Sequence, residues 1–156
     1  LVGERIVHPP AIDVGFAVMG NCAGAIVLAQ YAAGLDRPGV ERMAISVRRN
    51  AFGRQRDSFE TDIDIASIAG GPVHAVFIRA PVIERVDPPA VVLASLPDGR
   101  IVAARQGHMI ALAFHPELTP DTRVHAYFLR VVDASLAQPL RGSLTVRDSG
   151  RGHLWR

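Results

Sequence analysis

Short apolar or alternating runs recur along the chain and predict a protein rich in β-strands. Between Phe59 and Ile65, Thr61 and the apolar side chains alternate with acidic ones, a period of two that is typical of a strand with one solvated face. Pro97-Asp98-Gly99 separates two further runs and favours a tight hairpin. The runs that predict strands are residues 16–19, 43–48, 59–65, 73–79, 82–86, 91–95, 100–106 and 109–114.

Two segments have the composition of helices. Residues 23–31 predict one helix, with Gly34 suited to end it and a turn at residues 36–39. Thr119 and Pro120 suit the cap and first position of a second helix. Its buried side is predicted to carry Val124, Tyr127, Phe128, Val131 and Val132. Strands combined with helices in this order predict an α/β fold.

Length and cysteine content limit the class of protein. A chain of 156 residues fits one domain with a substantial core. Its single cysteine excludes an internal disulfide, and no run approaches the ~18 apolar residues of a membrane span. We therefore expect a cytoplasmic protein that does not contact a membrane.

The excess of positive charge lies at the C-terminus. Every basic residue is an arginine, and the last 18 residues carry four of them, Arg141, Arg147, Arg151 and Arg156, against Asp148. Without this segment the formal net charge falls from +2 to about −1, which argues against a nucleic-acid-binding face on the folded part. We predict a folded domain at residues 1–137 and an arginine-rich tail at residues 138–156, which we expect to be disordered.

Cys22 lies between an apolar run and a predicted helix. A residue at such a junction must turn tightly, which its small neighbours Gly20, Ala23 and Gly24 allow, and the G-x-S-x-G elbow exposes its serine in the same way. Unpaired N–H groups at the start of the helix should favour the thiolate. Cys22 is therefore a candidate nucleophile, although a buried structural cysteine is the alternative.

His115 and Glu117 follow the last predicted strand. Cys22 and His115 both come just past a strand end, where open α/β sheets bind their ligands. Glu117 lies two residues after His115, a spacing at which its carboxylate can accept from the imidazole and fix the tautomer. Alone, His115 could be a strand-end histidine without a role. Together with Cys22, the three supply a nucleophile, a base and an orienting acid.

Two charged features have competing interpretations. Glu60, Asp62 and Asp64 resemble a metal cluster, but alternating acids are far commoner on a solvated strand face, so we predict no metal. Arg79 leaves an apolar strand, and its guanidinium either extends into solvent or holds a carboxylate by two hydrogen bonds. The residues alone favour solvent for Arg79.

Several motifs resemble those of one enzyme class. G-N-C-A-G from Gly20 and F-H-P-E from Phe114 resemble the paired signatures of class I glutamine amidotransferases. The motifs R-N-A-F-G-R-Q-R-D-S-F-E from Arg49, F-I-R-A-P from Phe77, V-A-A-R-Q-G from Val102 and F-H-P-E-L-T are similar to those of the glutaminase subunit of pyridoxal 5′-phosphate synthase. The resemblance covers about residues 15–132. It implies a three-layer, flavodoxin-like fold with a mixed, mostly parallel sheet.

The resemblance also implies a reaction. Cys22 would attack the side-chain amide of L-glutamine, His115 would protonate the departing ammonia, and water would hydrolyse the thioester, with Glu117 completing the triad. The N–H of Ala23 would be one oxyanion-hole donor. The residues implied to contact glutamine are Arg49, Ile78 and Arg79. Family members bind no cofactor and pass ammonia to a separate ring-building synthase subunit, whose binding activates the glutaminase.

The sequence departs from the family pattern at its N-terminal end. Asn21 stands where the family usually has threonine, and residues 8–13 replace a regular helix. Family members also carry two strand–helix units and a G-G-E-S loop, with a second oxyanion donor, ahead of the position of Leu1, so the fold is expected to be N-terminally incomplete. The leading hypothesis is a glutaminase. The alternatives are a non-catalytic fragment or pseudo-subunit and, less favoured by the motifs, another cysteine hydrolase. Residues 1–156 alone are expected to be poorly stable and inactive.

Overall fold

A computed structural model describes residues 15–33, 39–49 and 58–137. The elements, in chain order, are β1 (Val18–Asn21), α1 (Ala23–Leu28), β2 (Ala29–Ala33), β3 (Met43–Arg48), β4 (Ser58–Ile63), β5 (Val73–Ile78), β6 (Val82–Val86), β7 (Val91–Ser95), β8 (Ile101–Gln106), β9 (Met109–Leu112), a 3-10 turn (Pro116–Leu118) and α2 (Arg123–Leu136). Each predicted strand has a counterpart, and the α/β class is confirmed.

A mixed seven-stranded sheet forms the centre of the described part of the chain. Its order is β1-β9-β8-β6-β3-β2, with β7 also paired to β8, while β4 and β5 form a separate two-stranded ribbon. β1 pairs with β9 in parallel, and Asn21 lies opposite Leu112. The resemblance predicts a mostly parallel sheet, but only two pairings of the described sheet are parallel. The other four are antiparallel. A tight turn accounts for one of these antiparallel pairs, since the two residues Gly107 and His108 between β8 and β9 permit only antiparallel neighbours.

Apolar side chains cover both faces of this sheet. On β9, Ile110 and Leu112 belong to one buried cluster and Ala111 to another, because successive strand residues point to opposite faces. The first cluster includes α2 and the β4–β5 ribbon, where the ring of Phe77 stacks on that of Phe59 with centroids 4.5 Å apart. The second includes α1. The result is three layers, with β1 and β9 side by side at one edge.

Helix boundaries are the main corrections to the sequence predictions. The first helix ends at Leu28 rather than at residue 31, and residues 29–33 form β2, which pairs in parallel with β3. The returning chain ends the helix, because the N–H groups of Val40 and Arg42 donate to the carbonyls of Val27 and Leu28 at 2.7 and 3.1 Å.

The second helix also begins later than predicted. It starts at Arg123 with Thr122 as its cap residue, whereas Thr119 ends the 3-10 turn. The carboxylate of Asp121 accepts from the N–H of Arg123 at 3.0 Å and supplies the capping bond that Thr119 was expected to make. Val124, Tyr127 and Val131 are buried as predicted, and Phe128 packs against the same cluster.

Other expectations have mixed outcomes. β1 begins at Val18, and Phe16 is exposed rather than buried. The predictions for Gly34, for the turn at residues 36–39, for the N-terminal segment 1–14 and for the tail 138–156 concern residues outside the described ranges. None of the described helices has the length and apolar character needed to cross a membrane.

Candidate active site

Cys22 lies in a tight turn between β1 and α1. Its backbone has φ of 49° and ψ of −105°, in the left-handed half of conformational space that side chains with a Cβ rarely adopt. The turn is held because the N–H of Cys22 donates to the carbonyl of Leu112 on the neighbouring strand at 2.8 Å. A Cβ on Gly20 would lie 2.6 Å from the backbone of Gly24, so only glycine lets β1 and α1 come this close. The tight turn that the sequence predicts is therefore present.

His115 and Glu117 lie just beyond β9, the strand beside β1. The N–H of His115 donates to the carbonyl of Val76 at 2.8 Å, which docks this segment onto β5. His115 Nδ1 lies 2.7 Å from Glu117 Oε1. Because an ionised carboxylate only accepts, Nδ1 carries the proton and Nε2 is left free to act as a base.

The carboxylate of Glu117 is held in its ionised form. Burial alone would raise its pKa, but the hydrogen bonds from His115, from its own backbone and from Asn21 outweigh burial, and the pKa of Glu117 lies below its ordinary value. A charged carboxylate on Nδ1 is what an orienting acid requires.

Contacts between segments gather these residues around Cys22. Asn21 Nδ2 donates to Glu117 Oε2 at 3.0 Å, so the residue before the cysteine holds the acid behind His115. The thiol of Cys22 points at the carbonyl of Ile78, with Sγ and O 3.7 Å apart. The structure thus places the end of β1, the end of β5 and the segment after β9 at one point.

The thiol of Cys22 is less acidic than the sequence suggests. Burial raises the pKa of Cys22, the N–H of Ala23 lowers it, and the charge of Glu117 raises it further, with a net upward shift. The expectation that this turn favours a thiolate is therefore wrong, because burial outweighs the start of a helix only six residues long. A nucleophile in this position needs a base to remove its proton.

The other candidate residues lie at the ends of β5 and β3. Arg79, directly after Ile78, has φ of 45°, and its side chain is exposed without an ion-pair partner among the described residues. Ile78 is 40% exposed. Because Arg48 pairs with Val82, Arg49 lies beside the short segment that leads from Ile78 to β6. The sequence did not indicate the contact of Asn21 with Glu117, and the only available signal was the position of Asn21 next to the cysteine.

Two acids of β4 are bonded to one histidine. Glu60 and Asp62 lie on the solvated face of the strand, as expected, and each accepts a bond from a different ring nitrogen of His74, at 2.9 and 2.8 Å. The described residues contain no group of side chains arranged to hold a metal ion.

Known proteins match most of this chain. Residues 10–134 match the model of the SNO glutamine amidotransferase family. The pyridoxal 5′-phosphate synthase subunit PdxT of Moorella thermoacetica is 53% identical over 118 residues, 76% of this chain and 62% of that protein. The PdxT subunit of Clavibacter sepedonicus is 52% identical over 125 residues, 79% of this chain and 60% of that protein.

A solved structure is also similar to this chain. A crystal structure described as a glutamine amidotransferase superposes with a TM-score of 0.74 at 44% identity and covers 80% of this chain and 66% of that one. The chain therefore spans about three fifths of the length of these two curated relatives. A family match over this much of the sequence, together with identities above 50%, leads to one conclusion: the chain belongs to the SNO glutamine amidotransferase family.

Proposed function

We propose that this chain is the catalytic part of a glutaminase that hydrolyses L-glutamine to glutamate and ammonia through a thioester on Cys22. One observation carries the proposal: Cys22 lies in a strained turn, and the residue before it is bonded to the carboxylate that orients His115. Strained backbone persists where the surrounding structure holds it and is concentrated at functional sites. A non-catalytic pseudo-subunit is not favoured, because its function would not require a strained cysteine turn next to a histidine oriented by a carboxylate.

The first half-reaction begins with proton transfer. Since the pKa of Cys22 is raised, His115 Nε2 takes the thiol proton as sulfur attacks the carboxamide carbon of glutamine. The oxyanion of the tetrahedral intermediate accepts a hydrogen bond from the backbone N–H of Ala23. Ala23 is the first residue of α1, so its N–H has no partner within the helix. His115 then returns the proton to the leaving nitrogen, the C–N bond breaks, and ammonia departs from a thioester.

The second half-reaction uses the same groups. His115 removes a proton from water as the water oxygen attacks the thioester carbon. The C–S bond breaks, the proton returns to the sulfur of Cys22, and glutamate is released. Glu117 remains ionised throughout and stabilises the imidazolium that forms in each half-reaction.

Substrate binding is assigned to the segment after β5. Arg79 has an exposed guanidinium without an ion-pair partner among the described residues, and we assign it to the α-carboxylate of glutamine. The strained backbone of Arg79 is consistent with a side chain held for a ligand. Ile78 and Arg49, which flank the same segment, complete the proposed glutamine contacts.

The partner follows from the relatives. Each is described as a subunit of pyridoxal 5′-phosphate synthase, and ammonia is a product that a synthase consumes. We propose that this chain delivers ammonia to the ring-building subunit of that synthase, within the biosynthesis of vitamin B6, and that the subunit activates it. A cytoplasmic location remains a prediction of the sequence.

Ammonia release by the natural full-length protein, with and without the synthase subunit, tests the proposal. We expect Cys22→Ala to abolish release and His115→Ala to reduce it by about 10³-fold or more. His125→Ala, which removes a histidine of α2 that has no assigned role, is the matched control and should behave as the wild type. More than a trace of turnover by Cys22→Ala would refute the assignment.

A further inference from the structure

We infer that Asn21 is a positioning residue that fixes the carboxylate of Glu117, and through it the imidazole of His115, to the backbone of the nucleophile. The inference rests on the proposed function, since it assigns Asn21 a task within that site. It concerns a side chain that touches neither the thiol nor the substrate in the proposed reaction.

Both oxygens of Glu117 are engaged. Oε1 accepts from His115 Nδ1 at 2.7 Å, and Oε2 accepts from Asn21 Nδ2 at 3.0 Å. The side chain of Glu117 is 46% exposed, so water competes for each oxygen, and a carboxylate held at one oxygen alone can rotate about its last bond. Asn21 supplies the second point of attachment.

The position of Asn21 makes this attachment specific. Asn21 is the last residue of β1 and lies opposite Leu112 on β9, while the next residue, Cys22, donates its N–H to Leu112. The segment with His115 and Glu117 begins just after Leu112. The nucleophile and the base therefore follow two strands that are paired with each other. The Asn21–Glu117 hydrogen bond is a second link between the segments that follow these strands.

The amide of Asn21 can face the carboxylate in only one way. With Nδ2 toward Glu117 it donates, whereas the opposite orientation would place two acceptor oxygens against each other. The consequence is that Asn21 Oδ1 is buried without a partner among the described residues. An unpaired buried acceptor is unfavourable. The side-chain amide of Asn21 therefore satisfies the carboxylate of Glu117 while its own oxygen stays without a hydrogen bond.

Two nearly isosteric substitutions test the role in the full-length protein with its synthase subunit. Asn21→Leu removes the donor, and we expect kcat for glutamine hydrolysis to fall about ten-fold with KM nearly unchanged, since one hydrogen bond to a charged group is lost and no substrate contact is. Gln30→Leu removes a side-chain amide from β2, at the other edge of the sheet, and serves as the control.

Asn21→Asp replaces the donor by a second carboxylate about 3 Å from the first. Two such groups do not both ionise freely, and one shared proton restores a hydrogen bond between them. The other titratable groups that interact with Glu117 are His115 and Cys22. We therefore divide kcat of Asn21→Asp by that of the wild type at each pH, and expect this ratio to rise as the pH falls.

Two kinetic outcomes would overturn the inference: an unchanged kcat in Asn21→Leu, whether or not KM changes, or an Asn21→Asp ratio that is independent of pH. The melting temperatures of Asn21→Leu and Asn21→Asp are measured in parallel. If each variant loses stability in proportion to its loss of kcat, the role of Asn21 is only structural, and the inference is overturned.

Alkylation of Cys22 by iodoacetamide, followed on the peptide that contains this only cysteine of residues 1–156, separates this inference from the proposed function. If His115 is held as a base by Glu117, Asn21→Leu should react several-fold more slowly than the wild type at neutral pH. A wild type without glutaminase activity would refute the proposed function, while the alkylation rates would still decide the role of Asn21. Equal rates would refute that role.

Discussion

The backbone of Cys22 predicts an unusual order of stability between two variants. Cys22→Ala and Cys22→Gly both delete the thiol and its contact with Ile78, so they differ only in the Cβ atom. Alanine must keep the strained conformation of the native residue, while glycine adopts a positive φ without steric cost. We expect the glycine variant to be the more stable one.

The magnitude follows from two opposing effects. A non-glycine residue in a sparsely populated region costs about 1–3 kcal/mol, and glycine loses about 0.5–1 kcal/mol more than alanine in backbone entropy on folding. The difference leaves Cys22→Gly ahead by about 1 kcal/mol, or about 2–4 °C in melting temperature for a chain of this size. At an ordinary helical position the order is reversed, and Ala23→Gly should lose up to about 1 kcal/mol.

Urea unfolding of the full-length variants, followed by circular dichroism, measures these differences. Ala23→Gly is the control, because it makes the same exchange one residue later in a regular conformation. If Cys22→Ala were as stable as Cys22→Gly or more so, the turn would not be strained in solution, and strain could no longer support a catalytic role for Cys22.

Substitutions at three further residues test other parts of the structure. Arg79→Ala should raise KM for glutamine by about ten-fold or more with a smaller effect on kcat, because a contact with the α-carboxylate holds ground state and transition state alike; a fall in kcat alone would contradict this. Arg123→Ala should lower the midpoint of urea unfolding, since its guanidinium donates to Asp121 and to three carbonyls of the loop before β5, and Arg123→Lys should recover only part of the loss. The pKa of His74 is raised by hydrogen bonds to Glu60 and Asp62, so its stabilising effect is complete below its ordinary value of 6.5 and is lost as the pH rises. The advantage in melting temperature of the wild type over His74→Gln should therefore shrink above that pH, and an advantage that grows would show that the two carboxylates do not bind the charged imidazole.

Local patterns were sufficient for the strands and for part of the site. The alternation from Phe59 to Ile65 identifies β4 and its solvated face, because period two has no other common explanation. His115 and Glu117 are only two residues apart, so their contact follows from spacing. These features depend on residues that are neighbours in the sequence.

Two features that depend on distant residues were missed. Residues 29–33 have helical composition, but β3 is available beside them and pairing with it decides their conformation. Asn21 and Glu117 are 96 residues apart, and no local pattern indicates that they meet. The order of strands in the sheet brings them together, and that order depends on packing across the whole domain.

The raised pKa of Cys22 shows how this limit affects chemistry as well as fold. A helix start favours a thiolate by a local effect that can be read from the sequence, whereas burial of the thiol and the nearby charge of Glu117 are tertiary effects of opposite sign, and they prevail. In the proposed reaction the resting thiol is therefore neutral and weakly nucleophilic, and His115 must take its proton during the attack. Reactivity then depends on the orientation of His115, so the contacts that hold Glu117, including the one from Asn21, control the nucleophile although none of them touches its sulfur.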